Sequence, residues 1–163
     1  MLFVGRKIIL NERSLEENVR KFAKNYHCDL KIEERSLIYH KERTFHLREK
    51  RLGMEHTLKY RSGYNRISYK MEFDSESLLK GSVHYKRSFF KKLFSIDEFK
   101  ISPYTNKEGF KAKLKCLTKG FSSFSINVGD RFCFQTTDFS VDYDLWLKAR
   151  KMFKDLISVE RRK

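Results

Sequence analysis

From His56 to Phe90 apolar and polar residues alternate along the chain. Successive strand side chains point to opposite faces, so this alternation predicts half-buried β-strands. Leu58 and Tyr60 share one face of a first strand, with Lys59 and Arg61 on the other. Ile67, Tyr69, Met71 and Phe73 share a face of a second, opposite Arg66, Ser68 and Lys70. Pairing Arg61 with Arg66 across Ser62-Gly63-Tyr64-Asn65 sets Tyr60 against Ile67 and Leu58 against Tyr69, so every apolar residue lands on one side. A turn at Asp74-Ser75-Glu76-Ser77 predicts a third strand through Leu79, Val83 and Tyr85, with Ser82, His84 and Lys86 outward. The expected outcome is a three-stranded surface carrying Lys59, Arg61, Arg66, Lys70, His84 and Lys86 side by side. Like charges opposite one another on a sheet repel, so Arg61 facing Arg66 asks for solvent screening or a bound anion.

The same reading extends in both directions. Leu2 to Leu10 predicts an opening strand. Ser14 and Glu17 have capping-box spacing, and Leu15, Val19, Phe22, Ala23 and Tyr26 recur on one face of a helix over Ser14 to His27. Leu30 to His40 reads as a strand broken near Glu34-Arg35-Ser36, and Lys41 to Arg51 as a solvated strand or an exposed helix. Phe99 to Ser102 reads as a short strand ended by Pro103. Phe110, Ala112, Leu114 and Cys116 alternate with Lys111, Lys113 and Lys115, predicting a strand with a second basic strip. Phe124, Ile126 and Val128 are followed by Phe132 and Phe134. A three-residue loop, Gly129 to Arg131, pairs Val128 with Phe132 and Ile126 with Phe134, whereas a two-residue loop spoils the alignment. Leu145, Trp146, Ala149, Met152, Phe153, Leu156 and Ile157 form the stripe of a final helix, capped by Ser140 or Asp142.

The order predicts an α+β domain over residues 1–163: a strongly bent antiparallel meander or partly open barrel, with an N-terminal amphipathic helix and a C-terminal one capping the sheet. In outline it is similar to pleckstrin-homology-like domains, which close a bent meander with a C-terminal helix; no motif carries residues across. Hydrophobic content of 40% with 15% aromatic residues argues for a packed core, although 35% of residues are charged. The net charge of +15 favours an anionic partner: nucleic acid, an acidic lipid surface or an acidic protein. Neither Ser77–Ile96 nor Gly109–Gly129 contains an acidic residue, so the excess is expected on the strands. Three cysteines without CxxC spacing point to free thiols in a reducing, cytoplasmic setting. No apolar run approaches the length of a membrane span.

Candidate chemistry is sparse. The five histidines show no metal-ligand spacing, and there is no nucleophile elbow or phosphate-cradling glycine loop. Asp74 followed by Glu98-Phe99-Lys100 resembles the acidic residue and Glu-x-Lys of the restriction-endonuclease-like fold. That likeness implies Mg²⁺ on the carboxylates and a water oriented by the lysine. In Ser88 to Phe94, Phe89, Phe90 and Phe94 alternate with Lys91 and Lys92 in the manner of a membrane-docking segment. The expectation is a non-enzymatic binding module with no catalytic residue, metal or cofactor. Its anion-binding set is Lys59, Arg61, Arg66, Lys70, His84, Lys86, Lys111, Lys113 and Lys115, with nucleic acid favoured over acidic lipid. A structural subunit that contacts another protein and a Mg²⁺-dependent nuclease are the alternatives.

Overall fold

A computed structural model describes residues 12–62, 66–74, 81–86, 99–101, 115, 120–137 and 143–160. Helix α1 (Glu12–Asn25) leads into strands β1 (Cys28–Ser36), β2 (Lys41–Glu49), β3 (Glu55–Arg61) and β4 (Arg66–Asp74). Then follow β5 (Gly81–Lys86), β6 (Phe99–Ile101), β7 (Ser123–Val128), β8 (Arg131–Thr136) and helix α2 (Tyr143–Glu160). The strands form one open antiparallel sheet of eight in the order β1-β2-β3-β4-β8-β7-β5-β6. This is an α+β architecture.

Where alternation was sharp, register follows it. Arg61 pairs with Arg66, Tyr60 with Ile67 and Leu58 with Tyr69. Val128 pairs with Phe132 and Ile126 with Phe134, as the three-residue connection requires. One face of the sheet is thereby apolar. Phe45, Leu47, Leu58, Ile67, Tyr69, Met71, Ile126 and Phe134 are all buried there together with Leu15, Val19 and Phe22 of α1 and Trp146, Ala149 and Phe153 of α2. Phe22 and Trp146 stack with ring centroids 4.0 Å apart and planes 3° from parallel, joining the helices. Phe153 reaches Phe132 and Phe134 at centroid distances of 4.9 and 5.1 Å.

Several expectations change. Helix α1 begins at Glu12, so Ser14 sits inside its first turn, and Glu17 pairs with Arg13 at 3.3 Å instead of closing a capping box. The helix ends at the left-handed residue His27 (φ 51°), which turns the chain into β1. Strand β1 stops at Ser36. Leu37, Ile38 and Tyr39 form a hairpin tip closed by the Leu37 N–H donating to the His40 carbonyl at 2.8 Å. The segment read as a solvated strand or exposed helix is β2, and it buries Phe45, Leu47 and Glu49.

The largest correction concerns β5. It was expected beside β4, but β8 takes that place, with Phe73 and Phe132 stacked at 4.5 Å, and β5 pairs with β7 and β6. Turn residues set which strand comes next in the chain. The neighbour in the sheet is chosen by which apolar faces fit, and that involves partners distant in sequence. Lys115 is helical and exposed, not part of a strand. The proposed opening strand, the Ser88–Phe94 segment, Lys111 and Lys113 lie outside the described residues.

A candidate anion-binding face and a sealed polar core

The face of the sheet turned away from the helices is mostly polar. Following the pairing from strand to strand places Lys31, His46, Thr57, Lys70, Gln135, Ser125, His84 and Lys100 in one row across all eight strands. At the ordinary spacing of neighbouring strands the row is roughly 33 Å wide along the sheet. It contains no carboxylate of its own, but Glu33 beside it pairs with Lys31 at 2.8 Å and lies 3.8 Å from His46. On one side lie Asp29, Arg48, Glu55, Glu72, Asp74 and Arg131, where acidic residues outnumber basic ones although Arg131 pairs with Glu55 and Asp74. On the other lie Glu33, Lys59 and Lys86 and then Arg35, Glu42 and Arg61, where basic residues outnumber acidic ones. Charge on this face is therefore graded along the strand direction.

The predicted anion-binding residues divide accordingly. Lys59 and Arg61 both bind Glu42, at 2.9 and 2.7 Å, so the anion called for by Arg61 facing Arg66 is supplied by β2. Hydrogen bonds from Lys59 and Arg61 hold the Glu42 carboxyl below the usual carboxylate range. Only 5% of Glu42 is exposed, a low figure that arises from the two long side chains draped over it and not from depth. Lys70 pairs with Glu72 at 2.8 Å, which raises the lysine pKa. His84 and Lys86 are exposed on β5, three strands from β4, so they do not lie beside Lys70. His84 nevertheless shares Lys70's row, through Gln135 and Ser125.

Asp74 and Lys100, two of the three nuclease-like residues, lie on strands four positions apart, about 19 Å along the sheet. Glu98 lies outside the described residues. The separation leaves no shared metal site for Asp74 and Lys100. Among the described residues no group of three or more His, Cys, Asp or Glu side chains is placed to hold a metal ion.

A cleft of about 460 Å³ opens between the start of α1 and the β1–β2 hairpin, lined by Arg13, Glu16, Glu34, Arg35, Lys41 and Arg43 among others. Arg43 braces it, binding Glu16 at 2.9 Å and also pairing with Glu34. Its carboxylates make it a charge-balanced brace more than an anion site.

On the inner face is a polar cluster that sequence reasoning missed. Arg150 of α2 donates Nε to Glu49 Oε1 at 2.7 Å and Nη2 to Oε2 at 2.8 Å, and stacks 3.7 Å from the Tyr26 ring centroid. Glu49 Oε1 also meets His56 Nε2 at 2.9 Å, and His56 Nδ1 meets the Tyr69 hydroxyl at 2.8 Å. Burial raises the Glu49 pKa, but hydrogen bonds from His56 and Arg150 outweigh it and hold the carboxyl below its ordinary value. Burial pushes His56 down, against the pull of Glu49. The guanidinium already neutralises the carboxylate, so His56 is neutral, donating from Nε2 and accepting the Tyr69 proton at Nδ1. Burial likewise raises Tyr69. The Trp146 indole packs edge-on beside the Tyr69 ring, with centroids 5.9 Å apart. His56 is fully buried and Glu49 2% exposed, so the cluster is sealed from substrate and acts as a clamp between helix and sheet. The only sequence signals for it were Glu49 and His56 standing at inward-facing strand positions.

Comparison with protein-family models, curated proteins and solved structures finds no match.

Proposed function

We propose that this protein is a non-enzymatic binding module that engages the phosphates of nucleic acid with the outer face of its sheet. The observation that supports this reading is the polar row from Lys31 to His84, which has no carboxylate of its own and meets Glu33 and Glu72 only at its edges. The mainly basic margin of Arg35, Lys59, Arg61 and Lys86 lies beside it. Lysine, serine, threonine and glutamine are among the side chains that contact phosphate oxygens and sugar. The chain's charge of +15 adds long-range attraction for such a partner. Free thiols at Cys28 and Cys133 fit a reducing, cytoplasmic setting; burial pushes the Cys28 thiol up to about 12, which keeps it protonated and unreactive. No helix among the described residues is long and apolar enough to cross a membrane.

The test is binding of fluorescent single- and double-stranded oligonucleotides across a salt series, with wild type beside Lys31→Gln/Lys70→Gln and Arg61→Glu/Arg66→Glu. Binding with a steep salt slope, shallower by about one for each cation neutralised, supports phosphate contacts on the row. Absence of binding at low salt overturns the reading.

A further inference from the structure

The β1–β2 hairpin ends in a tip with no structural use for its side chains. Leu37 is 45%, Ile38 91% and Tyr39 94% exposed, the large hydrophobic residues that the described part of the molecule leaves in solvent. Hydrogen bonds close the tip and anchor its neck. The Leu37 N–H donates to the His40 carbonyl at 2.8 Å, and Ser36 pairs with Lys41 across the hairpin neck. Lys41 N–H in turn donates to the Ser62 hydroxyl at 2.8 Å and the Ser62 N–H to the Lys41 carbonyl at 2.9 Å, tying the neck to the end of β3. A projecting, convex apolar tip suits a soft planar acceptor better than it suits a pocket of this chain.

The neck supplies the second half of the pattern. Arg35 and Lys41 flank the tip and are exposed; neither is clasped by a carboxylate as Lys59, Arg61 and Lys70 are, although Arg35 feels the charge of Glu33 and stands opposite Glu42 on β2. Two exposed cations beneath three apolar side chains match the depth profile of an acidic bilayer surface. Aliphatic side chains enter the acyl boundary, the tyrosine ring sits among head groups, and cations meet lipid phosphates and carboxylates.

We infer that the Leu37–Tyr39 hairpin tip is an interfacial anchor that inserts into anionic lipid bilayers, with Arg35 and Lys41 binding the acidic head groups. This site lies off the edge of the sheet, apart from the Lys31–Lys100 row, and does not depend on nucleic-acid binding by that row.

The test uses the full chain with phosphatidylcholine vesicles, with and without phosphatidylserine. Wild type binds only the vesicles containing phosphatidylserine. Ile38→Ser and Tyr39→Ser each weaken that binding about tenfold, the loss expected when one apolar side chain no longer enters the interface. Arg35→Gln and Lys41→Gln each weaken it about fivefold. All four positions are exposed, so circular dichroism and melting temperature stay at wild-type values. In Tyr39→Trp, acidic vesicles shift the new tryptophan emission to the blue, and brominated lipid quenches it. Trp146, the native tryptophan, is buried and stays unquenched. The inference is overturned if no vesicle binds, if tip variants bind as wild type does, or if Tyr39→Trp emission is unmoved. It is also overturned if the tip variants weaken oligonucleotide binding and spare vesicles, because the tip then stacks on bases. Oligonucleotide binding that survives the tip variants leaves the row reading intact, so the two proposals fail separately.

Discussion

Arg150 of the last helix clasps Glu49 of the second strand with two hydrogen bonds of 2.7 and 2.8 Å, across 101 residues of chain. A planar guanidinium matched to a carboxylate in this way is among the strongest polar contacts a protein makes, yet both charges had to leave water to form it. Its value therefore shows most clearly when one partner is removed. Arg150→Met leaves a nearly buried carboxylate with His56 alone, and the expected loss is about 3 kcal/mol, a fall in melting temperature of roughly 10 °C. The double variant Glu49→Gln/Arg150→Met recovers most of that loss, because no charge is then stranded. Urea unfolding followed by Trp146 fluorescence measures the cycle.

The same cluster sets a pH dependence with a definite sign. His56 has a folded pKa below its ordinary 6.5, so the unfolded chain takes up its proton first. Its contribution is present above pH 6.5 and is lost as pH falls below that value towards the folded pKa. Glu49, also depressed, adds a loss below its ordinary 4.5. Stability of the wild type is expected to decline in two stages on acidification. In Arg150→Met the stranded carboxylate draws a proton onto His56 and raises its pKa. The slope around neutrality then reverses, with stability increasing as pH falls through about 7. Unfolding curves at a series of pH values distinguish the two slopes.

Two left-handed residues respond in opposite directions to substitution. Gly53 (φ 64°) lies in the β2–β3 turn, where its N–H donates to the Glu49 carbonyl at 3.0 Å. A Cβ there meets nothing within 4 Å, so Gly53→Ala costs backbone strain alone, about 1 kcal/mol. His27 already bears that strain at the end of α1, and His27→Gly is expected to raise stability by a few tenths to about 1 kcal/mol. Denaturant midpoints at constant m-value give both.

Phe22 is the apolar counterpart of the Arg150 clamp. It stacks on Trp146 at 4.0 Å and meets His56 edge-on at 5.0 Å, so it touches helix and sheet together. Phe22→Ala opens a cavity at that junction, with an expected loss of about 3–5 kcal/mol. The altered packing also changes the emission of folded Trp146, which a conservative Phe22→Leu moves far less.

What was legible along the chain was local. Alternation in His56–Asp74 and Phe124–Phe134 is enough to give face and register, because a slip of one residue would turn Leu58, Tyr69, Ile126 and Phe134 out to water. The stripes Leu15-Val19-Phe22 and Trp146-Ala149-Phe153 likewise mark their buried faces. Lys59, Arg61 and Lys70 were correctly read as pointing away from the core formed by Leu58, Tyr60 and Tyr69. Their neighbours were not, since Glu42 lies on a strand whose mixed charges hid its pattern.

The order of strands, the pairing of Arg61 with Glu42, the Arg150–Glu49–His56–Tyr69 cluster and the bare hairpin tip were decided only in three dimensions. Each depends on which distant segments meet, and a period of two or of 3.6 records only how a segment faces its surroundings. Leu37, Ile38 and Tyr39 show the limit most plainly. In the sequence they continue a strand; in the fold the chain has already turned, and nothing among the described residues covers Ile38 or Tyr39.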